Sequence, residues 1–157
     1  MVIPQHKHLI VRAECNKFPQ SEEEVSSFLT DTVVALNMNI LSGPHVAYVD
    51  VEGNKGATGV VIIETSHCAI HVWDEASPAL IQLDVYTCGE LDTSVIFDMF
   101  RERFDPVKVE YKYLDRENSL VELAAGTEDH TNPMVTGLGS SGTFGWVSIL
   151  HPDVTQH

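Results

Sequence analysis

Between Thr58 and Thr87 the chain carries three strand-like segments in close succession, and this run limits the possible folds more than any other feature. Thr58–Glu64 (TGVVIIE) is apolar and β-branched along its middle, the composition of a buried strand. Cys68–Trp73 and Ala79–Thr87 read as two more strands, with Asp74-Glu75-Ala76-Ser77-Pro78 turning between them. Glu52-Gly53-Asn54-Lys55-Gly56 is a turn signal that leads into the run, and His45–Val51 ahead of it reads as a strand.

Two helices flank these strands. Ser21-Glu22-Glu23-Glu24 has the form of a capping box, with Ser21 as N-cap and Glu24 reaching back. Val25, Phe28, Leu29, Thr32, Val33 and Leu36 then recur at helical spacing, forming one apolar stripe. The acidic first turn complements the helix dipole. Asp92 is placed to cap a second helix with Val95, Ile96, Met99, Phe100 and Phe104 facing inward, and Asp105-Pro106 ends it. His8–Ala13 reads as a first strand, and Gly43-Pro44 as a chain break. In the last strand Val107, Val109, Tyr111 and Tyr113 alternate with Lys108, Glu110 and Lys112. The order predicts an α+β two-layer sandwich: a mainly antiparallel sheet with helices on one face.

Residues 1–115 carry all of this patterning, and 116–157 read as an extension of the same domain. The segment Thr136-Gly137-Leu138-Gly139-Ser140-Ser141-Gly142 has the look of a phosphate loop, but it lacks the Gly-Lys-Ser/Thr ending. It reads instead as part of a flexible or partner-covering tail. With 157 residues the chain is long enough to bury a core without staples.

Charge narrows the partners. Nine basic against 23 acidic residues give a formal charge of −14, which repels nucleic acid and anionic lipid and suits a cationic small substrate. No apolar run approaches the ~20 residues of a membrane span, and no signal peptide is evident. Cys15, Cys68 and Cys88 form no CxxC pair, as expected of reduced thiols in the cytoplasm.

The chemistry-bearing residues concentrate at Ser66-His67-Cys68-Ala69-Ile70-His71 and at Cys88. On a strand, His67, Ala69, His71 and Trp73 share one face, and Cys68, Ile70 and Val72 the other. Two histidines on one face, completed by Glu75 or Cys88, are one possible metal set, but no second spaced ligand pair supports it. A Ser-His hydrolase is another reading, although Ser66 is not in a GxSxG elbow. Histidines that only hydrogen-bond within the sheet are a third.

From Thr58 to Glu75 the chain resembles the core motif of bacterial-type S-adenosylmethionine decarboxylases. The shared pattern is a small hydroxyl residue (Thr58), glycine, an apolar strand, Ser66-His67, Ile70-His71, then Trp73 and Glu75. Leu83-Asp84-Val85-Tyr86-Thr87-Cys88-Gly89 is similar to that family's apolar-Asp-apolar-aromatic-Thr-Cys-Gly motif. His8-Leu9 and the helix after Cys88 fit the same layout, so the resemblance covers residues 7 to 115.

The resemblance implies a self-cleaving pyruvoyl enzyme. Ser66 Oγ attacks the Thr65 carbonyl, and elimination leaves a pyruvoyl group at residue 66 that forms a Schiff base with substrate. Such a step needs a strained bend at Ser66. His71 corresponds to the processing acid/base, Thr58 to the helper hydroxyl and Cys88 to the proton donor, with Glu75 and His67 as substrate contacts. A homodimer, an S-adenosylmethionine substrate and a role in spermidine synthesis are further implications.

The chain departs from the family pattern in three respects. Thr65 stands where the family has Glu, Trp73-Asp74-Glu75-Ala76-Ser77 replaces Trp-Pro-Glu-Tyr-Gly, and Glu52 falls where an adenine-stacking aromatic is expected. Tyr48 or His45 is a substitute only if the loop is shifted. These differences leave two alternatives open. One is a pyruvoyl decarboxylase of another cationic amino acid, such as arginine or ornithine. The other is an unprocessed homologue with a binding or regulatory role.

Overall fold

A computed structural model of the chain describes residues 5–130. The elements run β1 (Lys7–Cys15), α1 (Glu22–Ala35), β2 (Ile40–Val49), β3 (Gly56–Ile63), β4 (Ser66–Trp73), β5 (Ala79–Thr87), α2 (Thr93–Phe104), β6 (Pro106–Asp115) and β7 (Val121–Asp129). They form a seven-stranded sheet in the order β2-β3-β4-β5-β1-β6-β7, with every neighbouring pair antiparallel. Both helices lie on one face, so the chain is an α+β two-layer sandwich. The Thr136–Gly142 segment lies outside the described residues.

Strand alternation divides the two faces. Leu9, Val11, Ala13 and Cys15 of β1, Cys68, Ile70 and Val72 of β4, and Ile81, Leu83 and Val85 of β5 are buried beneath the helices. Val25, Phe28, Leu29 and Val33 of α1 and Ile96, Phe97, Phe100 and Phe104 of α2 meet them. Each such large apolar side chain contributes about 1.5–3 kcal/mol on burial. Phe28 joins the helices, its ring centroid 4.7 Å from Phe104 and 6.5 Å from Phe100. On α2 the inward position falls to Phe97 rather than Val95, which is only half-buried.

The helix caps follow the sequence. Ser21 Oγ accepts the Glu24 amide, and Glu24 reaches back to the amide of Gln20. Asp92 accepts the Ser94 amide at the start of α2, and Asp105 closes α2 in the left-handed region at φ 46°.

The fold differs from the sequence pattern in two places. Gly43-Pro44 does not break the chain: β2 runs through it, with the register shifting between Ser42 and His45. On an edge strand a proline at such a shift removes no ladder bond. Beyond Arg116 a seventh strand pairs with β6. Its small residues hide it from a periodicity reading, and Gly126 is one of them. A Cβ there would lie 2.5 Å from the Tyr111 ring, so the glycine makes room for that ring.

Candidate functional site

Ser66 stands at a corner. Glu64 and Thr65 form the two-residue turn of the β3–β4 hairpin, and Ser66 opens β4, paired with Ile63 on one side and Thr87 on the other. The turn is tied down from outside: the Glu64 amide donates to Asn39 O at 3.0 Å, and Asn39 Nδ2 donates to the Glu64 carboxylate at 2.8 Å. Ser66 has φ 151°, a region that L-residues rarely occupy. Holding a serine there costs about 1–3 kcal/mol. The strained bend expected at this residue is present.

The bend has two chemical consequences. The Thr65 carbonyl oxygen, next to the Ser66 amide, accepts the Cys88 backbone N–H at 2.8 Å. Ser66 Oγ lies 3.2 Å from His67 Nδ1. Regular alternation would send adjacent side chains to opposite faces, so this approach depends on the irregular φ. Thr65, Ser66, His67 and Cys88 are all half-buried, and Cys88 is a free thiol. The other two thiols, Cys15 and Cys68, lie under the helices, where burial first and then neighbouring carboxylates push both up to about 12. They stay neutral and belong to the core.

His67 extends into a polar cluster on the face opposite the helices. Its Nε2 is 3.6 Å from Asp84 Oδ1, which in turn lies 2.6 Å from His8 Nε2. Arg116 reaches His8 Nδ1 at 3.3 Å and sits 4.0 Å over the Tyr86 ring. Burial alone would raise the Asp84 carboxyl. The hydrogen bond and charge of His8, with the charges of His67 and Arg116, outweigh it and hold the group below its ordinary value.

Thr58 and His71 form a second cluster. They are register partners on β3 and β4, with Thr58 Oγ1 3.1 Å from His71 Nδ1. The His71 and Trp73 rings lie 6.0 Å apart, tilted by 31°, and Trp73 Nε1 donates to Asn54 at 3.1 Å. Glu75 lies just beyond, accepting the Gly53 amide at 3.0 Å and the Lys55 amide at 3.4 Å. Of the two candidate rings, His45 pairs with Val60 and shares the open face with Thr58, whereas Tyr48 pairs with Ala57 toward the helix side, its hydroxyl donating to Asp74.

The structure therefore brings Thr65, Ser66, His67 and Cys88 together, and separately Thr58 and His71, while Glu75 is held by the amides of Gly53 and Lys55. Five positions of β4 separate Ser66 from His71, roughly 16 Å at strand rise. The two groups share the open face of the sheet but not one point on it. Asp84 and His8 fall within the motif resemblance, but their contact with the first group has no local signal, because ladder register between strands distant in the chain creates it. Among the described residues, no three His, Cys, Asp or Glu side chains converge at metal-ligand spacing.

An α+β sandwich with its polar, potentially reactive side chains on the sheet face opposite the helices is the class that the fold and the site define. The chain matches the S-adenosylmethionine decarboxylase family over residues 7–117 and belongs to that family of decarboxylases. It is 30% identical over 111 residues to the S-adenosylmethionine decarboxylase proenzyme of Thermomicrobium roseum, covering 70% of this chain and 91% of that one. The protein of the same name from Archaeoglobus fulgidus is 44% identical over 64 residues, 39% of this chain and 54% of that one. The match thus spans about half the length of the Archaeoglobus relative. The Sulfurihydrogenibium proenzyme is 33% identical over 95 residues, 60% of this chain and 67% of that one.

Proposed function

We propose that the chain decarboxylates S-adenosylmethionine, supplying the aminopropyl donor for spermidine synthesis, after self-cleavage between Thr65 and Ser66 converts Ser66 to a pyruvoyl group. The observation that carries this reading is the hairpin corner, where Ser66 sits at φ 151° and the preceding carbonyl is already hydrogen-bonded by the Cys88 amide.

Attack by Ser66 Oγ on the Thr65 carbonyl carbon turns the carbonyl oxygen into an oxyanion. The Cys88 N–H, 2.8 Å away, is oriented to stabilise the charge as it develops. Collapse breaks the peptide C–N bond and leaves an ester. The strain at Ser66 favours this shift, because it is released when the amide is lost. Elimination then requires a base for the Cα proton of residue 66. His71, its Nδ1 facing the Thr58 hydroxyl at 3.1 Å, is the base we assign, with Thr58 as helper.

His71 lies too far along β4 to reach Ser66 of its own chain. A second copy, its open sheet face turned onto the first across a two-fold axis, delivers the partner's His71 and Thr58 to Ser66. A homodimer is thus part of the proposal. The same face supplies substrate contacts. Glu75 holds the ribose hydroxyls by exchanging its bonds to the Gly53 and Lys55 amides, and His45 is the ring available for adenine. His67, beside Ser66, is a further substrate contact.

The pyruvoyl carbonyl supplies an electrophile for the substrate's α-amine and a sink for the electrons left by CO₂. Cys88 then returns a proton to the substrate carbon. The formal charge of −14 favours a cationic sulfonium substrate and disfavours nucleic acid and anionic membranes. No described helix is long and apolar enough to cross a membrane. Three free thiols support a reducing cytoplasm. The described residues beyond 115 belong with the preceding sheet in one domain, as the pairing of β7 on β6 supports.

The reading is tested by CO₂ release from carboxyl-labelled substrates. Labelled S-adenosylmethionine should release CO₂, and Cys88→Ala should cut turnover while leaving cleavage intact. Release from arginine or ornithine alone would move the assignment to another substrate.

A further inference from the structure

The proposed self-cleavage leaves one proton without an acceptor. Before Ser66 Oγ can attack, its hydroxyl must lose a proton; His71 of the same chain is too distant, and the partner's His71 is assigned above to the Cα proton. The group that does face the hydroxyl is the next residue, whose Nδ1 lies 3.2 Å from Oγ. An imidazole can take that proton only if Nδ1 is unprotonated, which puts the ring hydrogen on Nε2. Nε2 points at a carboxylate, with Asp84 Oδ1 3.6 Å away. Asp84 is itself fixed by His8 at 2.6 Å. The ring of His67 also rests edge-on against Tyr86, at 5.8 Å, which limits its rotation.

Resting on the self-cleavage reading above, we infer that His67 is the base for the Ser66 hydroxyl in the acyl shift, and that Asp84 is the positioning residue that sets its tautomer. The proton passes from Ser66 Oγ to His67 Nδ1 as the O–C bond to Thr65 forms and the carbonyl π bond opens. When the C–N bond of residue 66 breaks, the same proton goes to the departing nitrogen, giving the free amine of the ester. No atom or electron is gained or lost, so the step is an isomerisation that needs no co-reactant. His67 and His71 then divide the work: His67 acts before the ester forms, and the partner's His71 after it. A serine, an imidazole and a carboxylate in series are the arrangement that activates hydroxyl nucleophiles on unrelated folds. Here the nucleophile attacks its own chain.

The full chain, freshly expressed, is followed by denaturing mass spectrometry with and without hydroxylamine, which cleaves an ester after Thr65. His67→Ala should slow cleavage about 100-fold, within the range for loss of a general base, and should yield no hydroxylamine-sensitive product. Added imidazole should restore its cleavage, a recovery that a merely structural role would not give. Asp84→Asn keeps the side chain's size and should slow the same step by about 10-fold or more, because an amide no longer favours the Nε2–H tautomer. His71→Ala should instead accumulate the hydroxylamine-sensitive ester. Cleavage at the parental rate in both His67→Ala and Asp84→Asn would overturn the assignment. So would ester accumulation in His67→Ala, or no imidazole rescue in a variant that melts with the parent. A parent chain that stays intact removes the self-cleavage reading itself, and with it this step; a parent that cleaves alongside indifferent variants removes the step alone.

Discussion

Ser66 is the residue on which the account depends, and its backbone is as informative as its hydroxyl. A φ of 151° would be comfortable for glycine and costly for serine. Evolution toward stability alone would place glycine there, whereas nucleophilic attack requires a hydroxyl. Ser66→Gly and Ser66→Ala both remove the hydroxyl, so neither variant should cleave, and their stabilities can be compared directly. Ser66→Gly should be the more stable by about 1 kcal/mol, because it relieves the strain and alanine does not. Chemical denaturation of the two uncleaved chains measures this, and equal midpoints would mean that the corner is unstrained.

At the scale of elements, the open sheet face is positioned by how tightly the hairpin β3–β4 and its neighbours close. Gly56 begins β3 at φ 152°, and a Cβ there would fall 1.7 Å from the Val72 carbonyl oxygen, on β4 itself. Backbone cannot move aside as a flexible side chain can. Gly56→Ala should therefore destabilise the chain by about 3 kcal/mol or more, through combined overpacking and strain. It should also disturb the Thr58–His71 register. Thermal melting reads the first effect, and an unchanged midpoint would contradict the packing. Gly59 shows the milder case: its added Cβ would meet only the side-chain ends of Val25, Leu29 and Val46, at 2.7, 2.9 and 3.3 Å.

The same elements show what could be read from the chain alone. Local signals were sufficient for both helices, because capping at Ser21 and Asp92 and a 3.6-residue period involve neighbours in sequence. They were also sufficient for β1 and β3–β6, where β-branched runs and alternation are strong. β7 was hidden because Ala124, Ala125 and Gly126 carry little pattern, and only Tyr111 on the adjacent strand explains the glycine. The candidate site residues were legible as a set through motif resemblance. Its division into two groups was not, because a motif gives order along the chain, while the separation of Ser66 from His71 follows from both lying on one extended strand. Nor were Asp84 and His8 legible as partners of His67, since their contact depends on how β1, β4 and β5 pair.

For the whole molecule, that division is the main consequence. The chain holds Ser66, the proposed nucleophile, and the hydrogen-bonded Thr65 carbonyl at one end of β4, and the Thr58–His71 pair toward the other. If two copies complete each other face to face, defects in the two groups should complement. Ser66→Ala alone and His71→Ala alone should both fail to cleave. Co-expressed with separable tags, the His71→Ala chain should be cleaved, because the Ser66→Ala partner supplies an intact His71. The Ser66→Ala chain should stay whole. Absence of any cleavage in the purified mixed dimer would place His71 outside the partner's reaction.

The most direct test of the central claim is the mass of the purified parent chain under denaturing conditions. Two pieces are predicted, residues 1–65 and residues 66–157, the second without a free N-terminal amine. A single intact chain after prolonged incubation would contradict the claim and leave the strained corner at Ser66 without the function assigned to it.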